Sequence, residues 1–289
     1  MFCVYDLHSH STASDGTLRP GELVARAAAA GVRVLALTDH DTTSGIEEAR
    51  AAALESGLVL IPGVEISVTW SGQTVHIVGL NLDPQHRPLQ QGLSKIRAFR
   101  DWRAREIAGR LEKAGINGAF EGALALSNGT LVSRTHFARY LVQQGVVSDE
   151  RKVFKHYLVK GKPGFVPGQW AALADALAWI HGAGGVAVIA HPARYRMTRS
   201  KLRRLFAEFA ELKGEAIEVV SGSHNRDDWF TMAKHARDFG LRASAGSDFH
   251  SPDNPWIELG RLPMLPDGCS PLWSNWRIDS ETPETREAV

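Results

Sequence analysis

The chain has 289 residues, of which 44% are hydrophobic and 22% charged, and a formal net charge of +1 at pH 7. This balance is that of an ordinary globular protein, so any polyanion must be met by a local basic patch rather than by a global field. Cys3 and Cys269 are too few for a disulfide framework, and neither a basic-apolar leader nor a membrane-length apolar run is present, so the chain reads as cytoplasmic, with no membrane contact, built as one large domain or a barrel carrying an insertion.

Taken in order, Phe2 to Tyr5 is an apolar run that predicts a first strand, with Cys3 as a small buried hydrophobe. It feeds Asp6-Leu-His-Ser-His10, where residues two apart share a face, so His8 and His10 can aim two imidazoles at one point. Asp15 follows in a Ser-Asp-Gly turn. Pro20 to Ala30 predicts a helix that starts on proline and stops at Gly31. The strand Val32–Leu37 runs into Thr38-Asp-His40-Asp41. Asp41 reads either as a support for His40 or as a turn residue before the next helix, near 43–56. An apolar run from Leu58 ends at Glu65, and a further strand near Thr74 holds His76. Ser71-Gly72 between them predicts a hairpin turn. Alternating strands and helices imply a largely parallel sheet or barrel.

The character changes from Leu89. Leu93, Ile96, Phe99, Ile107 and Leu111 recur at a helical period, interleaved with Arg97, Arg100, Arg103, Arg105 and Arg110. Those arginines read as a solvated helix face, with a single-strand RNA track as the alternative; Phe99 and Trp102 read as core packing. Helical patterns near 133–144 and 148–158 follow, and 99–166 reads as a helical insertion. Ser133, Arg134 and His136 open one of these helices, where free N–H groups and a guanidinium can hold an anion. The alternation then resumes: a helix near 171–181, a strand ending at His191-Pro192 with Arg194 just beyond, a helix near 200–212, a strand over 216–220, a helix near 227–239, and a strand from Leu241 that leads to Asp248 and His250.

Nine imidazoles and carboxylates, namely His8, His10, Asp15, His40, Glu65, His76, His191, Asp248 and His250, thus recur mostly at strand ends, which a parallel barrel gathers on one face. Left without partners there, they would cost several kcal/mol. A metal centre answers that cost. Donors without thiolate suit Mn, Fe or Zn, and more than four of them mean more than one ion. Such ions generate hydroxide from bound water and neutralise phosphoryl charge, so phosphate-ester hydrolysis is the expected chemistry, with no Ser or Cys nucleophile required.

The motifs His8/His10, Thr38-Asp-His40, Pro62-Gly-Val-Glu65, His191-Pro192 and Asp248/His250, in that order, resemble those of the PHP (polymerase and histidinol phosphatase) superfamily. Thr74-Val-His-Ile-Val-Gly-Leu80, Ser133-Arg-Thr-His-Phe-Ala-Arg139, Gly161-Lys-Pro-Gly164 and Ser244-Ala-Gly-Ser-Asp-Phe-His250 are similar to a narrower group, the bacterial nucleoside 3′,5′-bisphosphate phosphatases and the related RNase AM type of 5′→3′ exoribonuclease; the similarity fades beyond Pro263. The resemblance implies an α/β fold, a distorted (β/α)7-type barrel formed by 1–98 and 167–289, with 99–166 as a substrate-binding cap. It implies two or three ions, Mn²⁺ by preference. His8, His10, Glu65 and Asp248 would hold one, Glu65, His76 and His191 a second, and Asp15, His40 and His250 a third. A metal-bound water held by Glu65, His76, His191 and Asp248 would attack phosphorus, while Ser133, Arg134, His136 and Arg194 bind substrate. The implied substrates are a nucleoside 3′,5′-bisphosphate such as adenosine 3′,5′-bisphosphate (pAp), or short 5′-phosphorylated RNA, with no obligate protein partner. The competing readings are a histidinol-phosphate-type phosphomonoesterase, which needs one anion site, and a non-catalytic metal-binding domain.

Overall fold

The computed structural model describes residues 4–127 and 129–276. The expectations for Cys3 and for the first residues of the leading strand lie outside them.

Seven strands follow one another around the sheet in chain order: β1 (Tyr5–Asp6), β2 (Val34–Leu37), β3 (Val59–Trp70), β4 (Gln73–Leu80), β5 (Val186–Ile189), β6 (Ala216–Ser221) and β7 (Arg242–Gly246). Neighbours pair in parallel, except that β4 is antiparallel to both β3 and β5, so β4 alone runs against the other six. The sheet curls until its edges meet. Leu7 N–H donates to Ala245 O (3.0 Å), Asp248 N–H to His8 O (2.9 Å), and Ser9 bridges Phe249 in parallel. Closure depends on Gly246, because a Cβ there would collide with His8. The result is a nearly closed, distorted α/β barrel, as the motifs implied.

The reversal of β4 has a local cause. Ser71 (φ 47°) and Gly72 (φ 75°) form a two-residue turn with both central residues left-handed, the geometry that matches strand twist in a hairpin, and Trp70 pairs Gln73 directly across it. One consequence departs from the sequence reading. β3 does not end at Glu65 but continues five residues to Trp70, so Glu65 sits mid-strand, bridged in parallel to His40 in the loop just beyond β2.

The helices are α1 (Pro20–Ala29), α2 (Ile46–Ser56), α3 (Arg87–Lys113), α4 (Ala119–Leu126), α5 (Arg134–Gln143), α6 (Glu150–Val153), α7 (Leu173–Gly182), α8 (Arg199–Glu211) and α9 (Arg226–Asp238). α4 is the one the sequence reading did not anticipate, and α6 continues as a π-helical turn to Leu158. α1 and α2 pack Leu23, Ala27, Ile46 and Ala53 against Leu35 and Leu37, the outward face of β2. The alternate residues Val34 and Ala36 turn inward and meet Ile61, Val78, Val188 and Ala216, which fill the barrel below its polar mouth. α3 serves two cores. Leu89, Leu93 and Ile96 pack with the barrel layer, whereas Ala104, Ile107 and Leu111 pack with Phe137, Leu141 and Val153 of the helices between β4 and β5. Among the described residues no helix is long and apolar enough to cross a membrane.

Candidate metal centre

The nine candidate donors converge at the mouth of the barrel. His8 and His10 leave β1 with their Nε2 atoms 3.0 Å apart. Asp248, in the turn after β7, places Oδ1 3.5 Å from His8 Nε2 and 3.3 Å from His10 Nε2. Glu65 occupies the middle. Its Oε1 lies 2.9 Å from His76 Nδ1, 3.1 Å from His191 Nε2 and 3.4 Å from His8 Nε2, while its Oε2 lies 2.7 Å from His40 Nδ1 and 3.4 Å from His10 Nε2. Asp15 Oδ1 stands 3.3 Å from His250 Nε2 and 3.8 Å from His40 Nε2. The donor sets overlap rather than divide cleanly. His10, Asp15, His40 and His250 converge as one group, His8, His10 and Glu65 as another, and His40, Glu65 and His76 as a third, each with its atoms within 4.8 Å of one another.

These donors fit metal ions better than they fit one another. Adjacent donors around an ion with bonds of about 2.0–2.2 Å stand roughly 3–3.5 Å apart, which is the commonest spacing here. Glu65 Oε2, His40 Nδ1 and Asp15 Oδ1 face the centre and are buried without a well-directed hydrogen bond, the 2.7 Å approach of the first two included. An unpartnered buried polar atom costs about 1–3 kcal/mol, and three of them in one place call for a cation. The protonation states agree for the carboxylates and for His10 and His76, whereas against burial the neighbouring carboxylates raise His8 and His40, and raise His250 to about 9, so those three would release a proton as metal binds. Burial opposes the charge on Glu65, yet the surrounding His76, His40 and His8 hold its carboxyl well below the ordinary range; Asp15 and Asp248 are held low in the same way by neighbouring histidines. Burial and the neighbouring His250 and His40 push His10 down to about 3, and burial pushes His76 down to about 4. Ionised carboxylates and neutral imidazoles are the forms that ligate. The backbone is strained at the same place: His191 (φ 31°) and Asp248 (φ 55°) are non-glycine residues in the left-handed region.

Glu218 on β6 is the support the sequence reading missed. It accepts the Nδ1–H of His8 (2.5 Å) through one oxygen and the backbone N–H of His191 (2.6 Å) through the other. It thereby fixes the His8 tautomer and leaves Nε2 to face the centre. The available signal was a single acid in the apolar run Ala216-Ile-Glu-Val-Val220. Asp39 acts similarly on the first loop, accepting the Ser11 N–H (2.8 Å) and the Ser11 and Ser14 hydroxyls (2.7 and 2.6 Å). Replacing Glu218 by Gln is expected to weaken metal binding by about 10–100-fold while the fold persists, read by titrating the metal-loaded protein with a competing chelator. Unchanged affinity would reduce Glu218 to a packing role.

Asp41 turns away from His40. It accepts the Ser67 N–H (2.7 Å), the Ser67 hydroxyl (2.9 Å) and the Arg100 Nε–H (2.6 Å), and so ties α3 to β3. Arg100 and Arg103 correct the expectation of a solvated arginine face: both are buried, whereas Arg105 and Arg110 are exposed. The buried stripe of α3 is Leu93, Ile96, Arg100, Arg103, Ile107 and Leu111, with two arginines in its core positions.

The arginines line a cavity of about 360 Å³ that opens on the metal centre. Its floor includes His40, His76, His191 and Asp248; its walls include Arg100, Arg103, Ser133, Arg134, Trp170 and Arg194. Arg103 places Nε and Nη2 on one carbonyl, Val166 O (3.0 and 2.8 Å). Among the described residues neither Arg103 nor Arg134 is ion-paired with a carboxylate. Burial, then the neighbouring Arg134 and Arg100, push Arg103 down to about 9, and burial with Arg100 lowers Arg134 too. Two desolvated guanidiniums beside the N-terminus of α5 make a site that an anion would relieve. Ser133 caps α5, accepting the Thr135 N–H (3.0 Å), and donates its hydroxyl to Asp15 Oδ2 (3.0 Å), which joins the helix to the metal centre. His136 Nδ1 accepts the Ser133 N–H (3.0 Å), so only its other nitrogen remains for a ligand. Arg194 pairs with Asp248 Oδ2 (2.6 Å) at the mouth.

Comparison with known proteins gives a consistent picture. The PHP domain model matches residues 6–166. The chain is 52% identical to a 3′,5′-nucleoside bisphosphate phosphatase of Chromobacterium violaceum, covering 93% of this chain and 94% of that protein. It is 49% identical to the 5′-3′ exoribonuclease Rnm of Escherichia coli, covering 97% and 96%. Among solved structures, an amidohydrolase from C. violaceum with bound sulfate and no metal superposes with a TM-score of 0.90 at 51% identity, covering 94% of this chain and 95% of that one.

Proposed function

Because the chain belongs to the PHP domain family, whose members include metal-dependent phosphoesterases, we propose that it is a hydrolase that removes the 3′-phosphate of nucleoside 3′,5′-bisphosphates, pAp to AMP, and that takes 5′-nucleotides one at a time from short 5′-phosphorylated RNA. The observation that carries this reading is the pairing, in one cavity, of the donor cluster with a separate cationic wall. Among the described residues Arg103 and Arg134 have no carboxylate counter-ion on that wall, where α5 also begins. A substrate with one phosphate would satisfy only one of the two surfaces, which weighs against a histidinol-phosphate-type enzyme. All nine donors are present and convergent, which weighs against a domain that only binds metal.

In this reading Arg134, supported by Ser133 and the α5 N-terminus, grips the 5′-phosphate. Arg194, at the metal mouth, contacts the phosphoryl group to be cleaved. His8, His10, Asp15, His40, Glu65, His76, His191, Asp248 and His250 would hold two or three ions, Mn²⁺ by preference for an imidazole and carboxylate set. When bound, such ions supply hydroxide near neutral pH and neutralise charge on the phosphoryl oxygens. Glu218 keeps His8 turned towards them, and Asp39 keeps the loop of His10 in place.

Polarity provides the test. A site that grips a 5′-phosphate and cuts the bond between phosphorus and the 3′-oxygen advances from the 5′ end. It should digest 5′-phosphorylated oligoribonucleotides and spare those with a 5′-hydroxyl. In ¹⁸O-water the residue initially at the 5′ end should leave unlabelled and later ones labelled, because solvent oxygen enters each newly made 5′-phosphate. Labelled 3′-phosphate products, or digestion from the 3′ end, would reverse the assignment.

A further inference from the structure

We propose that the strand beyond the scissile phosphate of an RNA substrate leaves the metal centre through a second cavity and stacks a base on Trp256. The proposal rests on the exoribonuclease reading above and supplies the surface for the part of the substrate that a mononucleotide lacks. This cavity has a volume of about 1140 Å³ and shares Thr135, Arg194, Asp248 and His250 with the smaller one, so the two meet at the metal centre. A nucleoside bisphosphate ends at the phosphate being cleaved. With its 5′-nucleotide held against Arg134, an RNA must continue from that phosphate, and the second cavity opens there.

Trp256 stands on the wall of this cavity, six residues after His250. Its side chain is 84% exposed and takes part in no ring contact among the described residues. A single exposed apolar residue is ordinary on a protein surface. The placement of this one is what matters, because its loop is anchored on both sides. Trp256 N–H donates to Asn254 Oδ1 (3.2 Å), Arg261 donates to Pro255 O (3.1 Å), and Ile257 packs on the core beneath α1. An exposed indole on an anchored loop beside a nucleotide exit is a stacking platform of the kind single strands use, indifferent to base identity. In the lining Arg194 pairs with Asp248 (2.6 Å) and Arg139 faces Glu150 (3.7 Å), which leaves Arg151 beside Asp149 and Asp253, so base stacking rather than attraction for phosphate is what this surface offers.

The experiment compares wild type, Trp256→Ala and Trp256→Phe on pAp and on the 5′-phosphorylated trinucleotide pApApA. It also measures, by fluorescence anisotropy in EDTA, binding of a 3′-labelled 5′-phosphorylated hexa-adenylate. The alanine variant should raise KM for the trinucleotide and weaken hexamer binding by about ten-fold, the effect of losing one base–aromatic stack. Turnover of pAp should not change, and Trp256→Phe should recover most of the loss. Wild-type values for RNA in the alanine variant would overturn the track and leave the exoribonuclease reading intact. Equal losses on pAp and RNA would assign Trp256 to the fold and overturn it too. A wild-type protein that hydrolyses pAp but neither binds nor cleaves the oligonucleotides would overturn both.

Discussion

Replacing Glu65 by Gln is expected to lower phosphatase activity by about three orders of magnitude or more, with the fold retained. Glu65 is fully buried and its two oxygens face five imidazoles, so it is the donor that joins the overlapping sets. Glutamine keeps the shape but removes the negative charge and one acceptor. Several kcal/mol of transition-state charge stabilisation from the ions would be lost with it, and each 1.36 kcal/mol is about ten-fold in rate. His10→Ala should fall similarly, since His10 belongs to two of the three donor groups. Metal content by elemental analysis should drop alongside activity, circular dichroism should keep its native shape, and a chelator should abolish wild-type turnover. Full activity in a preparation shown to be free of metal would end the metal-centre assignment.

The second large effect concerns Arg134. Arg134→Ala should cut kcat/KM for pAp by one to two decades and leave hydrolysis of an aryl phosphate nearly unchanged. A hydrogen bond to a charged group contributes about 1.5–3 kcal/mol, and an aryl phosphate has no second phosphate to lose it. Arg134→Lys should recover only part, because an ammonium cannot reproduce the planar two-point grip of a guanidinium. Arg134 makes no ion pair among the described residues; its guanidinium lies 5.6 Å from the Phe154 ring centre. Its removal therefore leaves no carboxylate stranded, and a selective loss is distinguishable from misfolding. Equal losses on both substrates would place Arg134 in service of the metals or the fold.

The donor set was legible in the chain because its signals are local. Two histidines at i and i+2 after an apolar strand, and Asp248 and His250 beyond a strand, follow from strand periodicity and from parallel connection, which brings strand ends to one face, whereas Glu65 in the middle of β3 and His76 on the reversed β4 reach that face through the hairpin. The hairpin at Ser71-Gly72 was equally local. The tertiary structure decided what depends on the facing element. Nothing in the sequence near Glu218 says that His8, 210 residues away, supplies its proton donor. Arg100 and Arg103 follow the same rule. Charge alone placed them in solvent, although they occupy the inward stripe of α3. They remain buried because Asp41 and Ser67 engage Arg100 and the Val166 carbonyl engages Arg103. A strand or helix period fixes which face a residue takes. Whether a charge on that face is affordable is settled only by the partners that the fold brings to it from elsewhere in the chain.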